Sequence, residues 1–381
     1  MKTNRSIWRN KAFQSLAASV LCILLGLFIG YIVLLVINPA GAAQAITAIL
    51  KNFMTFPSGP ARLKYFGNTL VKTAPLLMCA LSVLFANKAG LFNIGAAGQY
   101  VAGAGVGLYC ALALQLPWPV CLILAALAGA VLGAVSGALK AWCNVNEVIS
   151  CIMLNWITLY LTNMTLAGVK ESTSPYTQKI ASVYPGAALP TLGLDKLLGN
   201  NKSVGLALPL SVLLAVLVWV ILEKTKLGYE LKATGYNKNA AKYCGMKERR
   251  NLILTMAMAG ALAGMGAGLY YLTGFEQWEV GMASIPAMGF NGIAAAFLGG
   301  LNPIGTIFAS YFIQHITNGG AYVDKTMYSS QISDLISSLI IYLCGFVLFF
   351  KSAMDARASK TQDSNVNDER SPAADGKGGK G

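Results

Sequence analysis

Along the chain, polar and charged residues gather into short breaks between long apolar runs. The runs are Leu16–Ile37, Tyr65–Ala86, Leu91–Leu116, Val120–Leu139, Glu147–Ala167, Val204–Leu222, Asn251–Leu272, Pro286–Gly300, Pro303–Thr317 and Gln331–Phe350. A helix of about 20 apolar residues crosses a hydrocarbon core ~30 Å thick, because each residue advances it by ~1.5 Å. The pattern predicts an all-α, polytopic integral membrane protein with about ten transmembrane helices. The run at Pro286–Gly300 is short and reads as tilted, broken or re-entrant, which lipid tolerates only where the backbone is buried in protein or lines a cavity. Leu16–Ile37 has a rival reading as a secretory signal, since GAAQA follows Pro39. Its length exceeds the ~7–15 apolar residues of a signal core, so a retained helix is expected.

The connections divide the chain into an N-terminal segment (1–15), a membrane domain (16–350) and a polar, aperiodic tail (351–381) read as disordered. Within the membrane domain, the loop at 168–203 carries Pro175, Pro185 and Pro190 and is long enough to have a function of its own. Two glycine ladders recur every four residues: Gly129, Gly133 and Gly137 in one run, Gly260, Gly264 and Gly268 in another. In lipid such faces let helix backbones approach closely, and packing then replaces the hydrophobic effect as the driving force. Tight helix packing is the expected role, with a sliding surface during gating as an added possibility.

Composition sharpens this picture. The chain is 55% hydrophobic and 12% charged, against roughly 25% charged residues in a soluble globular protein. The formal net charge of +14 would fit a polyanion-binding surface, but its distribution has a plainer cause. With the ten runs alternating from a cytoplasmic N-terminus, twenty Lys and Arg fall inside, eight outside, and Lys72 within a span. Lys/Arg excess marks the cytoplasmic side of membrane proteins. Both termini are therefore expected in the cytoplasm, lipid is the expected surround, and nucleic acid is not an expected partner.

Catalytic and metal chemistry find little support. The cysteines form no CxxC and His315 is the single histidine, so no metal site or disulfide framework is implied. No GxxxxGK[ST] phosphate loop occurs, so the chain is not expected to hydrolyse ATP. A membrane serine protease would have to rest on Ser136 and His315, with Ala134 where its motif wants glycine. The spans hold almost no charge, which argues against an ion-coupled relay and for a neutral solute. A stand-alone channel or facilitator stays open as an alternative.

Two polar segments carry the remaining signal. In LFNIGAAGQY, Asn93 and Gln99 sit amid Gly95 and Gly98. They read either as the lining of a solute path or as interhelical glue. NVNEVIS, with Asn146 and Glu147, and Asn155 further on, offers a similar polar entrance. The aromatic residues Trp142, Trp156 and Tyr160 read as bases' stacking partners or as interfacial packing. The loop at 223–250 contains Asn237 as an N-cap, a short helix through Cys244, and Gly245 as a stop. It reads either as a helix offered to another protein's groove or as a solvated basic loop.

Together, GLFNIGAAGQ, NVNEVISCIMLNWI, GYELKATGYNKNAAKYCGM and GFNGIAAAFLGGLNPIG resemble the permease subunits of ATP-binding-cassette importers. The likeness runs from about Tyr65 to Phe350 and is nearest to the nucleoside and simple-sugar branch, related to ribose and branched-chain amino-acid permeases. The resemblance implies a bacterial plasma-membrane subunit, paired with a second, often non-identical permease. Two cytoplasmic ATPases that bind the ATP and an external solute-binding lipoprotein would complete the importer; no cofactor is implied for this chain. It assigns Gly235, Asn237, Ala240, Ala241 and Gly245 to an ATPase-coupling loop. Asn93, Gly95, Gly98, Gln99, Asn146, Glu147 and Asn155 match segments placed along the translocation path, for a solute expected to be a nucleoside, with a sugar or branched-chain amino acid as the alternative. Family members often carry Glu where Ala97 stands. An echo of FNIGAAG (92–98) in FNGIAAA (290–296) points to two related halves.

Overall fold

The computed structural model describes residues 11–329 and isolated positions between 335 and 352. The run at Gln331–Phe350, the first ten residues and the tail therefore lie wholly or mostly outside the described residues. In chain order the helices are α1 (Lys11–Ile37), α2 (Ala42–Lys51), α3 (Gly59–Lys88), α4 (Ala96–Leu112), α5 (Trp118–Cys143) and α6 (Glu147–Leu166). They continue with α7 (Ala207–Lys224), α8 (Lys226–Tyr236), α9 (Lys238–Tyr243), α10 (Glu248–Tyr271), α11 (Met288–Leu298) and α12 (Pro303–Gly320). The described residues contain two isolated β-bridges but no strand.

Capping chemistry sets many of the boundaries. Asn146 begins α6 by accepting from Val148 N at 2.9 Å, and Thr225 begins α8 by accepting from Gly228 N at 3.2 Å. Asn302 caps α12 through Ile304 N at 2.9 Å, with Pro303 in the first turn, where its missing N–H costs nothing. Asn144, at φ 51°, closes α5 in the left-handed region that asparagine tolerates.

The centre of the bundle is α3, whose residues are apolar on all sides from Ala74 to Ala86 apart from Ser82, and are buried throughout. A helix without a polar face has to be surrounded. α10, α11, α12 and α7 pack around it, and α4 and α5 complete the core through α10. By contrast α1, α6 and α7 keep most of their surface outward.

Six helices among the described residues are long and apolar enough to cross a membrane: α1, α3, α5, α6, α7 and α10. Two expected spans are shorter than their apolar runs. Leu91–Gly95 is not helical, leaving α4 with 17 residues. The run at Pro286–Gly300 yields the 11-residue α11, about 16 Å long, roughly half of a bilayer core.

Candidate functional site

The residues singled out in the sequence fall into three groups that the fold keeps apart. The first is an amide network between α3, α4 and α6. The chain leaves α3 through Gly90 at φ 73° and enters α4 behind Gly95, which has no side chain to cap the free N–H groups of a first helical turn. Asn155 of α6 supplies the cap from across the interface. Its Oδ1 accepts from Gly98 N at 2.8 Å, and its Nδ2 donates to Ile94 O at 3.2 Å. Beside it, Asn93 Nδ2 donates to Gln99 Oε1 at 2.8 Å and to Ser82 Oγ at 2.9 Å, while Gln99 Nε2 returns a bond to Asn93 Oδ1 at 3.2 Å.

Glycine makes this closeness possible. A Cβ on Gly95 would lie 2.8 Å from Cys151 Sγ, and one on Gly98 would lie 2.7 Å from the Asn155 Cα. Asn93, Gln99 and Asn155 are 0%, 1% and 1% exposed, so their amides face one another and the backbone, not an open channel. Asn146 and Glu147 stand apart at the end of α6, where Glu147 pairs with Lys140 at 2.8 Å.

This geometry predicts a non-additive pair. Asn93→Leu or Gln99→Leu alone strands a buried amide, costing about 1–3 kcal/mol, whereas the double replacement removes both partners and costs less than the singles summed. Thermal unfolding of the three variants in detergent measures the difference.

The second group is the glycine ladders, which face each other where α5 crosses α10. A Cβ on Gly129 would overlap the Gly260 carbonyl, one on Gly133 would overlap that of Met256, and one on Gly137 would lie 3.0 Å from Ile253 Cα. Gly264 would meet Gly129 Cα at 3.0 Å, and Gly268 would meet Leu122 Cδ1 at 2.9 Å. Gly103 of α4 joins from a third side: its Cβ would lie 2.5 Å from Gly264 Cα. Sequence reasoning missed this third helix, although Gly103 and Gly107 share the four-residue spacing. Gly289, the residue before the second echoed segment, lies against the first, a Cβ on it falling 2.8 Å from that of Ala97.

The third group is the basic loop. Asn237, with extended backbone, accepts from Asn239 N and Ala240 N, both at 3.1 Å, and so starts α9. Gly245 ends it at φ 80°, with Met246 N bonded back to Ala241 O at 3.0 Å. α9 is anchored by its buried Ala241, while the preceding α8 is held by Asn251 Nδ2 donating to the buried Thr234 Oγ1 at 3.0 Å and by Gly235 pressing on the turn after α3. A Cβ on Gly235 would lie 2.6 Å from Ala89 C and 2.7 Å from Gly90 N. Ala240 faces outward, and Tyr236 and Tyr243 are 93% and 94% exposed, two large rings that the sequence did not mark. Near the start of α10 an open groove of about 440 Å³ is lined by Trp142, Arg249, Arg250, Ile253, Leu254 and Ala257.

Other candidates are engaged in structure. Ser136 Oγ donates to Gly133 O at 2.8 Å, while the His315 ring contacts Leu50 O and Asn52, so the two are not joined as a nucleophile and base. Lys72 places its ammonium 5.8 Å from the centre of the Phe275 ring. The 168–203 loop is tied by Thr177 N to Trp278 O at 2.9 Å, and Trp278 Nε1 in turn donates to Asn163 Oδ1 of α6 at 3.0 Å. Hydrogen bonds from Ser174 and Gln277 hold the half-buried Glu171 carboxyl below its ordinary pKa. No cluster of three or more metal-binding side chains occurs among the described residues.

Membrane-length helices, closely packed glycine crossings and an ordered, protruding loop define an all-helical membrane protein. Residues 65–345 match the family described as the branched-chain amino acid transport system / permease component. The chain is 30% identical over 336 residues to the guanosine ABC transporter permease protein NupP of Bacillus subtilis (strain 168), covering 87% of this chain and 93% of NupP. It is 31% identical over 346 residues to the nucleoside ABC transporter permease protein NupB of Lactococcus lactis subsp. cremoris (strain MG1363), covering 87% and 91%. A second protein of the same Bacillus strain, the guanosine ABC transporter permease protein NupQ, is 27% identical over 252 residues, covering 64% and 77%. No solved structure matches this chain. The chain belongs to this permease family and is a transport component, not an enzyme.

Proposed function

We propose that this chain is one permease of an ATP-driven importer in a bacterial plasma membrane, with nucleosides as its solute. The observation that carries the proposal is the α8–α9 loop, in which Gly235 of α8 rests on the turn after α3 and the capped α9 follows, with Ala240, Tyr236 and Tyr243 facing outward. A floppy basic loop could not transmit force, whereas one seated on Gly90 moves α3 when it moves. Cytoplasmic ATPases pull on α9 as they bind ATP, and the packed helices switch the path from outward- to inward-open. The arginine-lined groove then lies at the cytoplasmic membrane face, where anionic headgroups meet Arg249 and Arg250.

The membrane domain has ten crossings in two related halves, a reading supported by the apolar runs and the echo segments. Both termini are cytoplasmic, as the basic residues favour. NupP and NupQ, two guanosine permease proteins of one strain, support a non-identical second permease. An external lipoprotein delivers the solute over the 168–203 loop. The amide network holds α4 and α6 in place behind the path, while Asn146 and Glu147 stand at its inner mouth.

Ala240→Glu tests the coupling role without disturbing the core, since Ala240 is exposed. In the assembled importer, solute-stimulated ATP hydrolysis and uptake should both fall at least ~10-fold, the effect of losing about 1.4 kcal/mol at the contact. Unchanged coupling would overturn the assignment.

A further inference from the structure

Several helices turn aliphatic faces outward, such as Ile123, Leu127, Val131 and Val135 on α5 and Leu213, Val216, Leu217 and Val220 on α7. Hydrocarbon suits these faces. α6 is different: among the exposed Ile149, Ile157 and Leu161 its outward face carries a stripe of Met153, Trp156, Tyr160 and Met164, spaced at about one turn each and all exposed. The Trp156 and Tyr160 rings stack, with centroids 6.4 Å apart and planes inclined by 28°.

Depth makes this stripe unsuited to lipid. Counting from Glu147 at ~1.5 Å per residue, Trp156 lies ~14 Å and Tyr160 ~20 Å along a helix ~30 Å long. Tryptophan and tyrosine favour the two membrane–water interfaces, where their polar tips reach water, not the midplane. No hydrogen bond engages the Trp156 indole N–H or the Tyr160 hydroxyl among the described residues, and hydrocarbon offers neither group a partner. The stripe thus calls for an occupant with a flat π face and hydrogen-bond acceptors. Two flanking methionines add polarizable, adaptable surface of the kind that accommodates varied ligands.

We propose that this stripe is the wall of the solute path, and that Trp156 and Tyr160 form a shelf on which the base of a passing nucleoside stacks. The inference rests on the nucleoside reading above and adds the residues that recognise the base. It also gives the buried network a purpose. Asn155 is held by Gly98 and Ile94 on the back of α6, so the residue beside it, Trp156, is held at a fixed angle on the front. Stacking tolerates any base, because every base has a π face.

The test uses the assembled importer with Cys143 and Cys244, both exposed, replaced by Ser. Met153→Cys, Trp156→Cys, Tyr160→Cys and Met164→Cys are then treated one at a time with a water-soluble, membrane-impermeant thiol reagent. The expected result is modification at all four positions, slowed several-fold at 156 and 160 by guanosine or adenosine but not by ribose. No modification at any position places the stripe against lipid or a partner subunit and overturns the proposal. Modification without protection, or equal protection by ribose, leaves a wet wall with no base shelf and also overturns it. Nucleoside uptake by the parent complex is measured alongside; its absence overturns the nucleoside reading itself, while the labelling without solute still reports whether the stripe meets water. Trp156→Phe, which keeps a stacking face, should retain uptake that Trp156→Ala loses.

Discussion

Gly264→Val should prevent the bundle from assembling. Gly264 sits where three helices meet, with Gly129 of α5 on one side and Gly103 of α4 on another. A Cβ at this position would overlap the Ala125 carbonyl and lie 3.0 Å from Gly129 Cα, and both obstacles are backbone that no rotamer change can move aside. Ordinary overpacking costs about 1–3 kcal/mol because side chains give way. Here whole helices must separate, so the cost should exceed about 4 kcal/mol, a large share of the ~5–15 kcal/mol that holds a typical fold together. Loss of a monodisperse peak in detergent size-exclusion, with sharply lower yield, is the measurement. Gly168→Val, at a glycine with nothing within 4 Å, is the control and should behave as wild type. Normal yield and melting for Gly264→Val would mean that α5 and α10 do not cross backbone to backbone.

That crossing also shows where the sequence was informative. The four-residue glycine periods marked the contacting faces on α5 and α10, because in lipid close approach demands small residues and the demand leaves a period behind. The apolar runs likewise located α3, α5, α6, α7 and α10 to within a few residues, except that α3 begins earlier, at Gly59. What periodicity cannot show is partnership. Asn155 was recognisable as a polar residue out of place, yet its partner Gly98 lies 57 residues away and is a backbone N–H that any residue could carry. Hydropathy also reads straight through Leu91–Gly95, which is apolar enough for a span but unwinds because glycine and asparagine favour turn geometry. The stacking of Trp156 on Tyr160 had only its four-residue spacing as a signal, and the exposure of Tyr236 and Tyr243 had none, since exposure depends on what packs nearby.

Gly235→Val should separate folding from energy transfer. Gly235 is the point where α8 touches the turn after α3, and both partners are glycines: a Cβ on Gly90 would in turn lie 3.0 Å from Gly235 Cα. Gly90 at φ 73° cannot shift to make room without unwinding the left-handed turn that leads to Leu91. A valine at 235 therefore lifts α8 away from α3 while leaving the cap of α9 intact, because the Asn237 side chain accepts only from Asn239 N and Ala240 N of α9. The protein should still fold, since Thr234 and Asn251 lie at the margin of the core and the glycine crossings are untouched. On the coupling role proposed for α9, partner ATPases should still dock there, so basal hydrolysis persists, but uptake should drop at least ~10-fold and hydrolysis should no longer respond to solute. Ala240→Glu should instead weaken docking itself. Measuring ATPase retention on affinity-purified permease together with uptake distinguishes them: the Gly235 variant keeps its partner and loses transport, whereas the Ala240 variant loses both. Full uptake by Gly235→Val would show that motion does not reach α3 through this contact.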